Sequence, residues 1–220
     1  MRRAVLVLTA VLVVSTSLAG QQVPGPQGAT EAQVKSAQIE VPQLVTLLEL
    51  KPGMTVADVG AGFGAWTVAL AKWLGPSGRV YASDIGAPQL KILRDAVERE
   101  GLTNVTVLEA AERSTNLPAG CCDAILTRDA YHHFTQPMDL ARSVAASLKP
   151  GGRLAVIDFP TRPNTEVPSG VPADRGGHGV PPEIVVREVT AAGLTHVRTT
   201  PNWSPDSQPA MLFLALFRKQ

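Results

Sequence analysis

Val56-Ala57-Asp58-Val59-Gly60-Ala61-Gly62-Phe63-Gly64 decides how the rest of this chain is read. Met54 to Val59 is the short apolar run of a buried strand, and Ala65 to Leu74 carries Trp66, Leu70 and Trp73 at helical spacing. Between them Gly60, Gly62 and Gly64 free the backbone to turn tightly and to approach a ligand closely, which a Cβ would obstruct. In an open α/β sheet such a turn lies at the carboxyl end of a strand, where ligands bind near the switch point.

Outward from this turn the alternation continues. Strands are predicted at Arg79 to Ala82, Val105 to Leu108, Asp123 to Thr127 and Arg153 to Asp158. A helix over Pro88 to Glu100 places Leu90, Leu93 and Val97 on one face, and one over Pro137 to Leu148 aligns Leu140, Val144 and Leu148. Upstream, Glu31 to Leu50 reads as a helix with Ile39, Leu44, Leu47 and Leu48 for its apolar face, stopped by Lys51-Pro52-Gly53. Strands alternating with helices imply a parallel sheet covered on both faces, with right-handed crossovers. The last third departs from this rhythm. Residues 159–180 form a long segment holding Pro160, Pro163, Pro168 and Pro172, of a length usually functional or disordered. A helix opened by Pro181-Pro182-Glu183 and strands at Thr195 to Thr199 and Met211 to Phe217 complete the chain.

Composition narrows the function classes. The 220 residues are 45% hydrophobic, enough for one sizeable core. Twenty basic against 19 acidic side chains give a net charge of +1, with no basic stripe to suggest a nucleic-acid partner. Met1-Arg2-Arg3, the apolar run Ala4 to Val14 and the small-residue site Ser17-Leu18-Ala19 read as a secretory signal peptide. The organisation expected is a signal peptide at 1–19, a Gln/Pro/Gly linker at 20–30 and one domain at 31–220, exported to the periplasm or secreted. The mature chain is expected to have no membrane span, because the apolar run is too short and is cleaved. The cysteines, Cys121 and Cys122, are neighbours, so a disulfide framework is excluded and ordinary half-buried thiols are expected. No residue is assigned to a metal, and the oligomeric state is not legible.

A glycine loop alone is weak evidence, since Gly60, Gly62 and Ala65 also satisfy a dinucleotide pattern. Asp58 separates the readings. A carboxylate beside the loop repels a phosphate, whereas it suits an ammonium. Asp84, ending the second strand, is placed to accept hydrogen bonds from ribose hydroxyls.

The glycine loop with Ala82-Ser83-Asp84-Ile85, Tyr131-His132-His133-Phe134 and Leu148-Lys149-Pro150-Gly151-Gly152-Arg153-Leu154 resembles the S-adenosyl-L-methionine (SAM)-dependent methyltransferases of the Rossmann-like class, nearest the quinone-biosynthesis and small-molecule type. The resemblance runs from about Leu44 to the C-terminus. It implies a doubly wound seven-stranded sheet, mostly parallel, with an antiparallel last strand between the fifth and sixth. It implies SAM as cofactor, with Gly60, Ala61, Gly62 and Gly64 lining the methionine part, Asp58 suiting its ammonium and Asp84 the ribose; Ile85 and Arg128 are also assigned to cofactor binding. The family commonly carries an acidic pair after the third strand, its carboxylate accepting the adenine amino group. Here that stretch reads Glu109-Ala110-Ala111-Glu112, so Ala111 and Glu112 or the backbone inherit the contact.

Methyl transfer from a sulfonium needs chiefly in-line alignment, and a base only where the acceptor carries a proton. His132 and His133 are the candidate catalytic residues, since imidazole titrates near neutrality. Adjacent residues leaving a strand point to opposite sides, so one of the pair is expected to pack under the sheet edge. Tyr131 and His178 are assigned to the substrate, Tyr131 as a pocket wall. Gly176-Gly177-His178-Gly179 offers either a lid hinge or a solvated loop. The expected activity is methyl transfer to a small-molecule acceptor. The alternative is a weak or inactive module binding SAM or S-adenosylhomocysteine, favoured by Ala110 and by the scarcity of SAM outside the cytoplasm. A nicotinamide oxidoreductase is disfavoured by Asp58, and arsenic methylation by the lack of separated cysteines.

Overall fold

The computed structural model describes residues 28–203 and 212–220. The expected signal peptide, linker residues 20–27 and Met211 lie outside them. Among the described residues no helix is long and apolar enough to cross a membrane.

Helix α1 (Glu31–Leu47) opens with a capping box, in which the Thr30 hydroxyl accepts from the Gln33 N–H and the Gln33 side chain accepts from the Thr30 N–H. Then follow β1 (Thr55–Val59), α2 (Ala65–Leu74), β2 (Arg79–Asp84), α3 (Ala87–Arg99), β3 (Val105–Glu109), β4 (Cys122–Arg128), α4 (Pro137–Ser147), β5 (Leu148–Asp158), α5 (Pro182–Ala191), β6 (Thr195–Trp203) and β7 (Leu212–Arg218). Two short 3-10 turns, Tyr131–His133 and Ala173–Arg175, stand after β4 and inside the long segment.

The strands form one seven-stranded sheet in the order β3-β2-β1-β4-β5-β7-β6. The pairings from β3 through β5 are parallel, and β7 runs antiparallel to both β5 and β6. This is the doubly wound arrangement that the strand–helix alternation implies. The chain leaves β1 to one side and β4 to the other, so the ends of β1 and β4 flank the crevice of a topological switch point.

The core lies on both faces of the sheet. Ala57, Ile125, Val156 and Phe213 pack with Val144, Leu148 and Val185 on one face. Val56, Leu126, Ala155 and Leu214 pack with Leu44, Leu70 and Leu74 on the other. The buried stripe of α1 is Ala37, Val41, Leu44 and Leu48, with Glu40 buried beside it, while the expected Ile39 is only half-buried. Likewise Ala96 of α3 is buried and Val97 half-buried. Lys149-Pro150-Gly151-Gly152 belongs to β5, with a register shift against β4 between Cys122 and Ala124.

Candidate functional site

The glycine turn follows β1 without a break. Its first two amides, Gly60 and Ala61, both donate to the Ser83 carbonyl, at 2.8 and 3.2 Å. Gly60 has φ +74°, and a Cβ there would stand 2.5 Å from the Ala130 Cβ. The residue is therefore glycine because two strand ends meet there, not because a ligand does. Gly64 is similarly close to the Leu93 side chain, 3.0 Å from a Cβ position. Only Gly62 faces open space, at φ +55° with nothing nearer than 4.0 Å.

Asp58, Gly60, Ala61 and Gly62 line a small cavity of about 170 Å³ with Phe63, Trp66 and Arg128. The Asp58 carboxylate is 3% exposed and accepts from the Thr67 hydroxyl at 2.7 Å. Burial raises its pKa to about 6, against the Thr67 hydrogen bond that lowers it. A buried carboxylate in that condition gains most from a cation placed against it. Arg128 sits across the same cavity. Its Nε donates to Glu40 at 2.7 Å, and its guanidinium lies 3.8 Å over the Trp66 ring. Glu40 also accepts from the indole N–H groups of Trp66 and Trp203, at 2.6 and 2.5 Å. Three donors thus account for a fully buried glutamate on an otherwise apolar stripe.

A second cavity, of about 450 Å³, opens on the other side of the turn, lined by Gly62, Asp84, Ile85, Gln89, Ala110 and Ala111 among others. Asp84 accepts from the Gly62 N–H at 2.6 Å and from the Ile85 N–H at 2.7 Å, so it holds the glycine turn while keeping lone pairs for a ligand. Ile85 is 51% exposed into this space. Glu112 is exposed in the turn beyond and is absent from the lining, so the sequence expectation of a carboxylate contact there is corrected in favour of Ala110 and Ala111. The Gln89 side-chain nitrogen is buried with no partner and faces no competitor for a ligand acceptor.

The third and largest cavity, about 730 Å³, is lined by Arg128, Asp129, His132, His133, Phe159, Arg162, His178 and neighbours. All three cavities touch Asp129, held at φ +54° directly after β4. Burial and the nearby Asp158 raise the Asp129 pKa. His132 and His133 do not diverge as adjacent strand residues would. They lie in a 3-10 turn, and their rings stand 4.0 Å apart on the same cavity. His132 is buried, its Nδ1 2.8 Å from Asp158 and its backbone N–H donating to the same carboxylate at 3.1 Å. His133 is more exposed, and partial burial together with the neighbouring imidazoles lowers its pKa.

Tyr131 is a correction. It is 2% exposed and lines none of the three cavities; its hydroxyl donates to Glu188 at 2.9 Å. Glu188 in turn takes two hydrogen bonds from the fully buried Arg175, at 3.0 and 3.1 Å. This pair ties Arg175, in the segment 159–180, to α5, while residues 162–166 and 169–170 of the same segment are exposed. Cys121 and Cys122 are joined as a disulfide, where separate thiols were expected. They lie at the start of β4, the opposite end from the cavities.

Asp129, Asp158, Glu40 and Gln89 were not singled out in the sequence. Asp158 ends a strand as Asp84 does, and Asp58 stands one residue before the end of its own; that repeated position was the available signal. Glu40 had one too, as a charge interrupting an apolar stripe.

Comparison with known proteins bears on the fold and the domain. Residues 56–152 match the family described as Methyltransferase domain. The ubiquinone/menaquinone biosynthesis C-methyltransferase UbiE of Ectopseudomonas mendocina is 33% identical over 116 residues, which is 52% of this chain and 45% of that protein. Its namesake in Pseudomonas paraeruginosa is 32% identical over the same shares. The match spans less than half the length of these curated relatives. Among solved structures, a SAM-dependent methyltransferase from Aquifex aeolicus superposes with a TM-score of 0.67 at 24% identity, covering 87% of this chain and all of that one. The glycopeptide N-methyltransferase MtfA complexed with sinefungin gives 0.65 at 16% identity, covering 84% and 87%. The strand order and these neighbours give the chain the fold of the Rossmann-like SAM-dependent methyltransferases, and residues 56–152 carry the match to the methyltransferase domain.

Proposed function

We propose that this chain transfers a methyl group from SAM to a small-molecule acceptor held in the 730 Å³ cavity. One observation carries the reading: three cavities of different chemistry meet at Asp129. The residues present suit the cofactor. Asp58 offers its buried carboxylate to the ammonium of the methionine part, and Arg128 offers its guanidinium to the carboxylate. Asp84 faces the ribose, and the exposed Ile85 with Ala110 and Ala111 provides an apolar face for the adenine ring. When bound, SAM supplies an electrophilic methyl whose sulfur departs with the bonding electron pair. The chain's part is to align the acceptor in line with that bond and keep water out. Phe159, Pro160, Pro163 and Leu212 give the acceptor an apolar bed. His132, oriented by Asp158, and His133 are the groups placed to deal with an acceptor proton.

The test is calorimetry with SAM and S-adenosylhomocysteine, then transfer of labelled methyl to a panel of thiols, phenols, amines and quinols. Saturable binding with turnover is expected. Binding without turnover across the panel favours the non-catalytic module, and absence of heat with both ligands removes the reading. Export is a further part of the proposal, supported by Arg2-Arg3 and the apolar run after them. N-terminal sequencing of chain recovered from the cell envelope is expected to begin at Gly20; chain beginning at Met1 in the cytosol overturns it.

A further inference from the structure

Three of the chain's four histidines stand together. His132 and His133 come from the 3-10 turn after β4, and His178 from the long segment. Each offers one ring nitrogen, and the three nitrogens lie within 4.8 Å of one another. The ring centroids are 4.0, 5.0 and 5.8 Å apart. Three imidazoles this close repel one another when protonated and offer one another few donors when neutral. A cation among them satisfies all three lone pairs.

We propose that His132, His133 and His178 form a site for a divalent transition metal ion of the zinc type, with an open position facing the 730 Å³ cavity. The donor set fits. Imidazole nitrogens suit zinc, copper and nickel, and three histidines with a free position is the arrangement of a reactive zinc rather than a structural one. The surrounding shell fits as well. Asp158 is fully buried and accepts from the His132 backbone, the Phe159 backbone and His132 Nδ1, at 3.1, 2.8 and 2.8 Å. A carboxylate held by backbone donors takes a proton from Nδ1 into its hydrogen bond and leaves the other ring nitrogen with its lone pair free. That is how a carboxylate behind a metal-bound histidine orients it.

The backbone around His178 is built to deliver it. Its carbonyl accepts from the Arg162 N–H at 2.8 Å, and its N–H donates to the Thr165 hydroxyl at 2.8 Å. A Cβ on Gly177 would overlap the Arg162 carbonyl, and one on Gly179 would come within 2.7 Å of the Pro160 carbonyl. The glycines beside His178 therefore serve close approach of two backbone stretches, which brings the third imidazole to the pair. Zinc–nitrogen distances of about 2.0–2.1 Å put tetrahedral ligands about 3.4 Å apart. Closing from 4.8 Å asks movements on the order of 1 Å, which rotation of the partly exposed His133 and His178 rings provides. On this cavity Arg128 is held through its Nε by Glu40, and Arg162 is stacked 4.4 Å over Phe159. With the metal bound the ligating imidazoles no longer act as bases, and a thiol or hydroxyl acceptor at the open position would instead lose its proton more readily to solvent. That consequence rests on the methyl-transfer reading; the metal site itself does not.

The untagged chain, stripped with chelator and titrated with Zn²⁺ alone and with Co²⁺ alone, tests this by elemental analysis and visible absorption. One ion per chain and the intense bands of low-coordinate cobalt are expected. His178→Ala is expected to weaken zinc about 100-fold or more, and Asp158→Asn about 10- to 100-fold. His196→Ala, on the remaining histidine, leaves affinity unchanged. Circular dichroism and S-adenosylhomocysteine calorimetry on each variant report folding and cofactor binding separately, so failure of the methyl-transfer reading would not be mistaken for failure of the site. Absence of zinc uptake by folded wild type, or equal affinity in His178→Ala and His196→Ala, overturns the proposal.

Discussion

The cofactor side and the acceptor side of this crevice are built on different plans. The proposed cofactor side is centred on two neighbouring strand ends: Asp58 to Gly62 forms its turn and Asp84 and Ile85 stand beside it, with Ala110, Ala111 and Arg128 joining from further along the chain. The acceptor side is gathered from Arg128 to His133, from Phe159 to Pro163, and from His178. One is a local motif braced by backbone hydrogen bonds. The other is an assembly, held by a buried Arg175–Glu188 pair and by backbone contacts between distant stretches. The two halves should therefore fail separately.

The largest expected effect lies on the acceptor side. Arg175→Met leaves Glu188 buried with only the Tyr131 hydroxyl as a strong donor. Breaking a buried pair in this way costs about 3–5 kcal/mol. Urea unfolding is expected to show that loss, while affinity for S-adenosylhomocysteine at native conditions changes less than threefold. The double variant Arg175→Met/Glu188→Met is expected to recover much of the stability, since no charge is then left unpaired. A matching collapse of cofactor affinity in the single variant would mean that the two halves are one unit.

The two plans also explain what was legible in the chain. The strand–helix alternation and the turn at Gly60 to Gly64 follow from short-range periodicity and glycine placement, which act within a few residues, whereas the place of the antiparallel last strand was implied only by the family resemblance. Asp84 followed from its place at a strand end. The acceptor side did not yield in the same way. His132 and His133 were expected to diverge because strand geometry was extended into what is a 3-10 turn. Tyr131 was given a pocket wall, but its hydroxyl is drawn inward by Glu188, 57 residues away. Glu40 reads as a defect in α1 until Trp66, Arg128 and Trp203 arrive from three other parts of the fold. Contacts of that range leave no local pattern.

Asp58 gives the next effect, this time on the cofactor side. Its pKa is raised to about 6 by burial, above its ordinary value of 3.8. The binding form is the charged one, so cofactor affinity is expected to be flat above about pH 7 and to fall about tenfold per unit below pH 6. For the ligand-free fold the sign is opposite. The neutral form is the one folding favours, so this group's contribution is fully present below pH 3.8 and lost as pH rises through about 6. At pH 8 the charge costs at most about 3 kcal/mol. Asp58→Asn is therefore expected to lower affinity about 100-fold at pH 8, to abolish the pH dependence, and to leave the melting temperature equal or higher. An Asn variant that both binds weakly and melts early would show that Asp58 supports the turn rather than the ligand.

The smallest effect sharpens the comparison at the one place where the cofactor side departs from its motif. Ala110 puts no carboxylate beside the adenine region, yet Gln89 lines the same cavity, and its amide nitrogen is buried without a hydrogen-bond partner. An orphan donor in an empty site is a cost to the fold that a ligand acceptor removes. Adenine ring nitrogens are acceptors, so Gln89 and the adenine satisfy each other where the usual carboxylate would have met the exocyclic amine. Gln89→Leu deletes the donor at similar volume. It is expected to weaken S-adenosylhomocysteine by about three- to tenfold, the worth of one neutral hydrogen bond of about 1 kcal/mol, while the ligand-free chain becomes no less stable. Comparison with a ligand whose purine N1 and N3 are replaced by carbon isolates the contact. If wild type and Gln89→Leu lose equally on that replacement, the amide does not read the ring, and adenine is held by Ile85 and the Ala110–Ala111 backbone alone.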